Sequence, residues 1–221
     1  MKTETLSFDT ANGPSTAYVA MPDNGGEKAV LVIQEWWGLN DHIRDIANRY
    51  ADEGFIAIAP DLYRGTVAKD SGEASKLMHD LSLDDGLDTI RNAIDAARLS
   101  YDISHFGITG YCMGGTFTLR AACKLEGLSA AAAFYGDIPE EEVLKDLRIP
   151  TLFISGTRDG WITPEKVAEL EDAVERHELP LTSVKYDADH AFFNDTRPEV
   201  YDATATRDAW ALVIGSFKDN L

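Results

Sequence analysis

Residues 106–119 read FGITGYCMGGTFTL, and this stretch decides the fold. Phe106 to Tyr111 has the continuous apolar character of a strand buried on both faces, and Met113 to Glu126 has the composition of a helix. Between them stands Gly110-Tyr111-Cys112-Met113-Gly114-Gly115, a glycine–x–nucleophile–x–glycine turn with cysteine at its centre. A sharp strand-to-helix turn lifts its central residue into a strained backbone conformation. The positions two residues to either side must then be glycine to avoid collisions. The helix start directs backbone N–H groups and a positive dipole end at the sulfur, which favours the nucleophilic thiolate. A buried structural cysteine is the plain alternative, since free cysteine is among the most buried residue types. The flanking strand and helix argue for the nucleophile.

Outward from this turn, short apolar runs alternate with helical patterns. Leu6 to Phe8 and Thr16 to Ala20 alternate like a hairpin around Asn12-Gly13-Pro14. Strands are expected at Ala29–Ile33, Phe55–Ala59, Ala130–Tyr135, Thr151–Ser155 and Thr182–Asp187. Helices are expected from Asn40 to Glu53 (closed by Gly54), around Glu73–Leu81, over Asp84–Leu99, over Pro164–His177 with a Thr163 cap, and from Pro198 to Phe217. The alternation predicts an α/β architecture. Its mostly parallel central sheet carries helices on both faces, formed by residues 1–221 as a single α/β domain.

Composition narrows the function. The chain of 221 residues carries 38 acidic against 20 basic side chains, a formal net charge of −18. Phosphate binding needs basic patches, so nucleic acid is not an expected partner, and an anionic membrane surface is disfavoured for the same reason. Acidic runs such as Pro139-Glu140-Glu141-Glu142 read as solvated surface. No stretch is long and apolar enough to cross a membrane, and MKTETLSFDTANG has no apolar core of a secretory signal; a cytoplasmic location is expected. Cys112 and Cys123 are read as free thiols, and their spacing suggests neither zinc nor a disulfide framework. No metal or organic cofactor is expected, and the chain is expected to be a monomer or a weak homodimer.

A nucleophile needs a base and a group that orients the base, and in this fold they follow in the order nucleophile, acid, histidine. Asp159 lies just after the Thr151–Ser155 strand and His190 just after the last strand, at carboxyl ends where sites collect in open sheets. Asp189 is the rival acid, but it adjoins the histidine. His42, His79, His105 and His177 read as surface.

These motifs, with Gln34-Glu35-Trp36-Trp37-Gly38, Pro60-Asp61-Leu62-Tyr63, Gly156 to Asp159 and His190-Ala191-Phe192, resemble the dienelactone hydrolase (carboxymethylenebutenolidase) family over essentially the whole chain. The resemblance implies Cys112 as nucleophile, His190 as base and Asp159 as the residue holding the imidazole tautomer. It implies an oxyanion hole from the backbone N–H groups of Trp36 and Met113, and a glutamate, Glu35, that helps to deprotonate the thiol. Trp37, Tyr135, Asn194 and Met78 correspond to substrate-binding positions.

One departure stands out. The family's carboxylate clamp uses two arginines, one four residues after the histidine; Asn194 stands there, and the segment around Ser71 also lacks arginine. Arg64 and Arg158 are the candidates to take the clamp's place. The expected substrate is therefore a small ester or lactone less acidic than dienelactone. A hydrolase-fold binding protein without catalysis, or a thiol acyltransferase, would use the same residues.

Overall fold

Ile33 on one strand faces Gly110 on the next, and this pairing sets the architecture around which everything else is placed. The computed structural model describes residues 1–221. Strands β1 (Lys2–Thr10) and β2 (Gly13–Met21) form the antiparallel hairpin expected from the Asn12-Gly13-Pro14 turn, several residues longer than the alternation suggested. They are followed by β3 (Lys28–Ile33), α1 (Asp41–Asp52), β4 (Ile56–Pro60), α2 (Ser71–Asp80) and α3 (Leu83–Ser100). Next come β5 (His105–Tyr111), α4 (Met113–Lys124), β6 (Leu128–Phe134) and the single turn α5 (Glu141–Leu144). The chain closes with β7 (Thr151–Gly156), α6 (Pro164–His177), β8 (Leu181–Tyr186) and α7 (Ala203–Asn220).

All eight strands belong to one sheet in the order β1-β2-β4-β3-β5-β6-β7-β8. From β4 onward every neighbouring pair is parallel; only β1–β2 and β2–β4 are antiparallel. The strand order reverses between β3 and β5, so the connections leave their carboxyl ends in opposite directions and open a crevice there. The strands are buried on both sides, which is why β3, β5 and β6 read as uninterrupted apolar runs. One core cluster packs α3, α4 and α6 on one face, and a second packs α1 and α7 on the other.

Caps explain most helix starts. Asn40, Asp70, Ser82 and Thr163 each accept a backbone N–H of the first turn. The last helix departs from expectation: it begins at Ala203 rather than Pro198, because Asp202 accepts the N–H groups of Thr204 and Ala205. The segment before it folds instead into turns. His42, expected at the surface, is buried on α1, with Nδ1 3.4 Å from an Asp195 oxygen. Glu140, Glu141 and Glu142 are exposed as expected, and each pairs with a basic side chain: Arg120, then Arg176 and His177, then Lys145.

Candidate active site

Cys112 sits between β5 and α4 with φ +55°, the left-handed conformation that the elbow pattern requires. The close approach around it leaves no room for side chains. A Cβ on Gly110 would lie 2.2 Å from the Gly114 carbonyl oxygen, and one on Gly114 would lie 2.2 Å from the Ile33 oxygen. Glycine at both positions lets the start of α4 rest directly on the end of β3. The backbone N–H groups of Met113 and Trp36 are then near the Cys112 sulfur and favour its ionised form.

The register places Glu35 beside the elbow. Ile33 pairs with Gly110, and both chains run on in the same direction for two more residues, to Glu35 and Cys112. Farther along the sheet Gly156 pairs with Tyr186, and the loops beyond them bring Asp159 to His190. Asp159 Oδ2 lies 2.6 Å from His190 Nδ1, while its Oδ1 accepts the N–H groups of Trp161 at 2.8 Å and Ile162 at 3.0 Å. This contact and the two backbone donors hold the Asp159 carboxyl below its usual range against the opposing effect of burial. Asp189 is exposed and turned to Arg158, so it does not compete.

His190 Nε2 is buried without a hydrogen-bond partner, so imidazole and thiol are not bonded to each other. The sequence suggests that the helix end favours thiolate. The structure overrides this: burial first, then the Glu35 charge, pushes the Cys112 thiol far above its ordinary range, and the two backbone donors only moderate the effect. Burial and the Glu35 charge thus favour the thiol over the thiolate. Glu35 is itself buried, and burial raises its carboxyl to about 7.

These groups border a cavity of about 380 Å³ lined by Glu35, Trp36, Trp37, Met78, Cys112, Trp161, His190, Ala191 and Arg197. Trp37 and Met78 are therefore at the wall, as expected. Tyr135 and Asn194 are not. Tyr135 is 1% exposed and packs edge-on against His190 with centroids 5.1 Å apart, supporting the imidazole from behind. Asn194 is buried beneath the cavity and donates from Nδ2 to Glu35 Oε2 at 2.8 Å; it is the partner of Glu35 that the missing arginine left open.

Neither arginine named from the sequence reaches the cavity: Arg64 pairs with Asp85, and Arg158 with Asp187 and Asp189. Arg197 does, with its Nε held by Glu199 at 2.9 Å. Sequence reading missed it because it lies seven residues past His190, beyond the spacing searched, and only the turns before α7 fold it back. Trp161 was missed for a similar reason: Asp159 Oδ1 accepts its backbone N–H, and the folded loop places the indole 5.4 Å from the His190 ring.

A doubly covered, mostly parallel sheet with a strained elbow after β5, an acid after β7 and a histidine after β8 defines an α/β-hydrolase fold. Residues 15–221 match the dienelactone hydrolase family, and the chain belongs to it. Among curated relatives, protein usf of Aquifex pyrophilus and the "Putative carboxymethylenebutenolidase" of Aquifex aeolicus are each 34% identical over 98% of both chains. The crystal structure of a "Putative Dienelactone Hydrolase" from Klebsiella pneumoniae superposes with a TM-score of 0.89 at 29% identity, covering 99% of each chain. The family makes this chain a hydrolase. No helix is long and apolar enough to cross a membrane.

Proposed function

We propose that the chain is a single α/β-hydrolase domain that cleaves a small ester or lactone through a Cys112 thioester. The observation that carries the reading is the meeting of Cys112, Glu35 and His190 at one cavity, with Asp159 behind the imidazole. Glu35, a carboxylate held near neutral proton affinity, accepts the thiol proton when substrate displaces water from the cavity. The thiolate attacks the carbonyl carbon, and the N–H groups of Trp36 and Met113 stabilise the oxyanion. Collapse breaks the C–O bond of the ester, the leaving oxygen takes the proton held by Glu35, and the acyl group stays on sulfur. His190, oriented by Asp159, then takes a proton from water as its oxygen attacks the thioester, and returns it to the departing sulfur. These steps call for no metal or organic cofactor.

Four of the wall residues are large and apolar (Trp36, Trp37, Met78 and Trp161), which suits a substrate with an apolar body. Arg197 favours a second reading of specificity: a single anionic group on that body, in place of the neutral ester expected from Asn194. The formal net charge of −18 speaks against nucleic-acid partners. Turnover of p-nitrophenyl esters by wild type and Cys112→Ala tests the mechanism: loss of burst and turnover supports it, and full turnover by the variant overturns it.

A further inference from the structure

Glu35 is held by Asn194, and Asn194 in turn is held by Thr196. The Thr196 backbone N–H reaches Asn194 Oδ1 at 3.0 Å, and the Thr196 hydroxyl reaches the same atom at 2.6 Å. A backbone N–H can only donate, so the atom it meets must be the carboxamide oxygen. The two ends of the Asn194 side chain are thereby distinguished, and the amino end has one direction left, towards Glu35 Oε2. We propose that Thr196 and Asn194 form a positioning relay that presents an uncharged N–H donor to Glu35 and keeps it able to gain and lose a proton in place. The proposal rests on the role given to Glu35 above.

The chemistry of the donor is what matters. A carboxamide N–H can bond either a carboxylate oxygen or the carbonyl oxygen of a neutral acid, so the contact survives both states of Glu35. A cation at the same place would hold Glu35 ionised, and a second acceptor would require it to stay protonated. The other charged or titratable groups facing Glu35 are Cys112, His190, Tyr135 and Arg197. None of them is bonded to it, which leaves Asn194 as its hydrogen-bond anchor. Asn194 is 2% exposed, whereas Thr196 lies at the surface, so the relay runs from solvent to the floor of the cavity. Neither residue lines the cavity, so both act through Glu35 and not on substrate.

Thr196→Val keeps the shape of the side chain and deletes one of the two donors that lock Asn194. Thr196→Ser restores that donor. The Glu35 carboxyl can be followed directly by infrared titration, its protonated C=O band assigned by its loss in Glu35→Gln. The expected result is a midpoint raised by about half a unit or more in Thr196→Val, restored in Thr196→Ser, with the acid limb of kcat/KM moving in step and KM unchanged. Asn194→Asp, which presents an acceptor, should raise the acid limb further. Superposable titrations in wild type and Thr196→Val overturn the relay, even where Cys112→Ala is inactive. An active Cys112→Ala refutes the catalytic reading instead, and the infrared midpoint still decides the relay.

Discussion

Asp159 and His190 meet at 2.6 Å through Oδ2 and Nδ1, and the other Asp159 oxygen is occupied by two backbone N–H groups. The acid therefore has one orientation, and it fixes which imidazole nitrogen is free to face the cavity. Asp159→Asn would keep most of the shape but would favour the opposite tautomer. A loss of about 10³- to 10⁴-fold in kcat is expected, with KM little changed. Steady-state kinetics on a neutral ester measure it; a loss under tenfold would remove Asp159 from the triad.

Glu35 should control pH dependence in two ways. Activity should have an acid limb near pH 7, where the buried carboxyl ionises, and Glu35→Gln should lose that limb along with most of the rate. Stability follows the opposite sense. The folded carboxyl keeps its proton up to about 7 and the unfolded one releases it near 4.5, so the native state binds more protons between those values. Stability then falls as pH rises through this window and levels off above it, by about 3 kcal/mol in all at ~1.4 kcal/mol per unit. Denaturant unfolding of wild type and Glu35→Gln across pH 4 to 8 should show this difference. A constant gap between the two would mean that Glu35 ionises as it does in water.

The Cys112 thiol, held protonated by burial and by Glu35, should react slowly with iodoacetamide at neutral pH. Mass-spectrometric labelling is expected to find Cys112 slower than a free cysteine in solution, with the rate rising steeply with pH. Rapid labelling at pH 7 would show a resting thiolate and remove the need for Glu35 as its base.

Arg197 should discriminate by charge. Arg197→Gln is expected to raise KM about 10- to 100-fold for an ester that carries a carboxylate and to leave a neutral p-nitrophenyl ester unaffected. Equal effects on both substrates would assign Arg197 to loop structure.

The elbow itself should tolerate no side chain. Gly114→Ala puts a methyl group 2.2 Å from the Ile33 oxygen, a backbone atom that cannot turn aside. A stability loss of about 1–3 kcal/mol or more, with lost activity, is expected in thermal unfolding. An unchanged Tm would mean that β3 and α4 are less tightly apposed.

Much of this molecule is written locally. Buried parallel strands show as apolar runs, capped helices show their Asn, Ser or Thr, and the elbow shows as Gly110-Tyr111-Cys112-Met113-Gly114, because each depends on neighbours within a few residues. The order Cys112, Asp159, His190 follows from the same logic, since each closes a strand on the same edge of the sheet. The raised proton affinity of Cys112 could not be read this way, because it depends on its own burial and on the charge of Glu35, two residues past a register pair 77 positions apart in sequence. Nor could Asn194, expected at the cavity wall, be recognised as the anchor of Glu35, 159 residues distant. Arg197 enters the cavity only because Asp202 delays the last helix and leaves residues 191–201 to turn inward. Local patterns determined the fold and the turn that presents Cys112; charge, burial and the reach of one loop were decided only when strands distant in sequence were placed side by side.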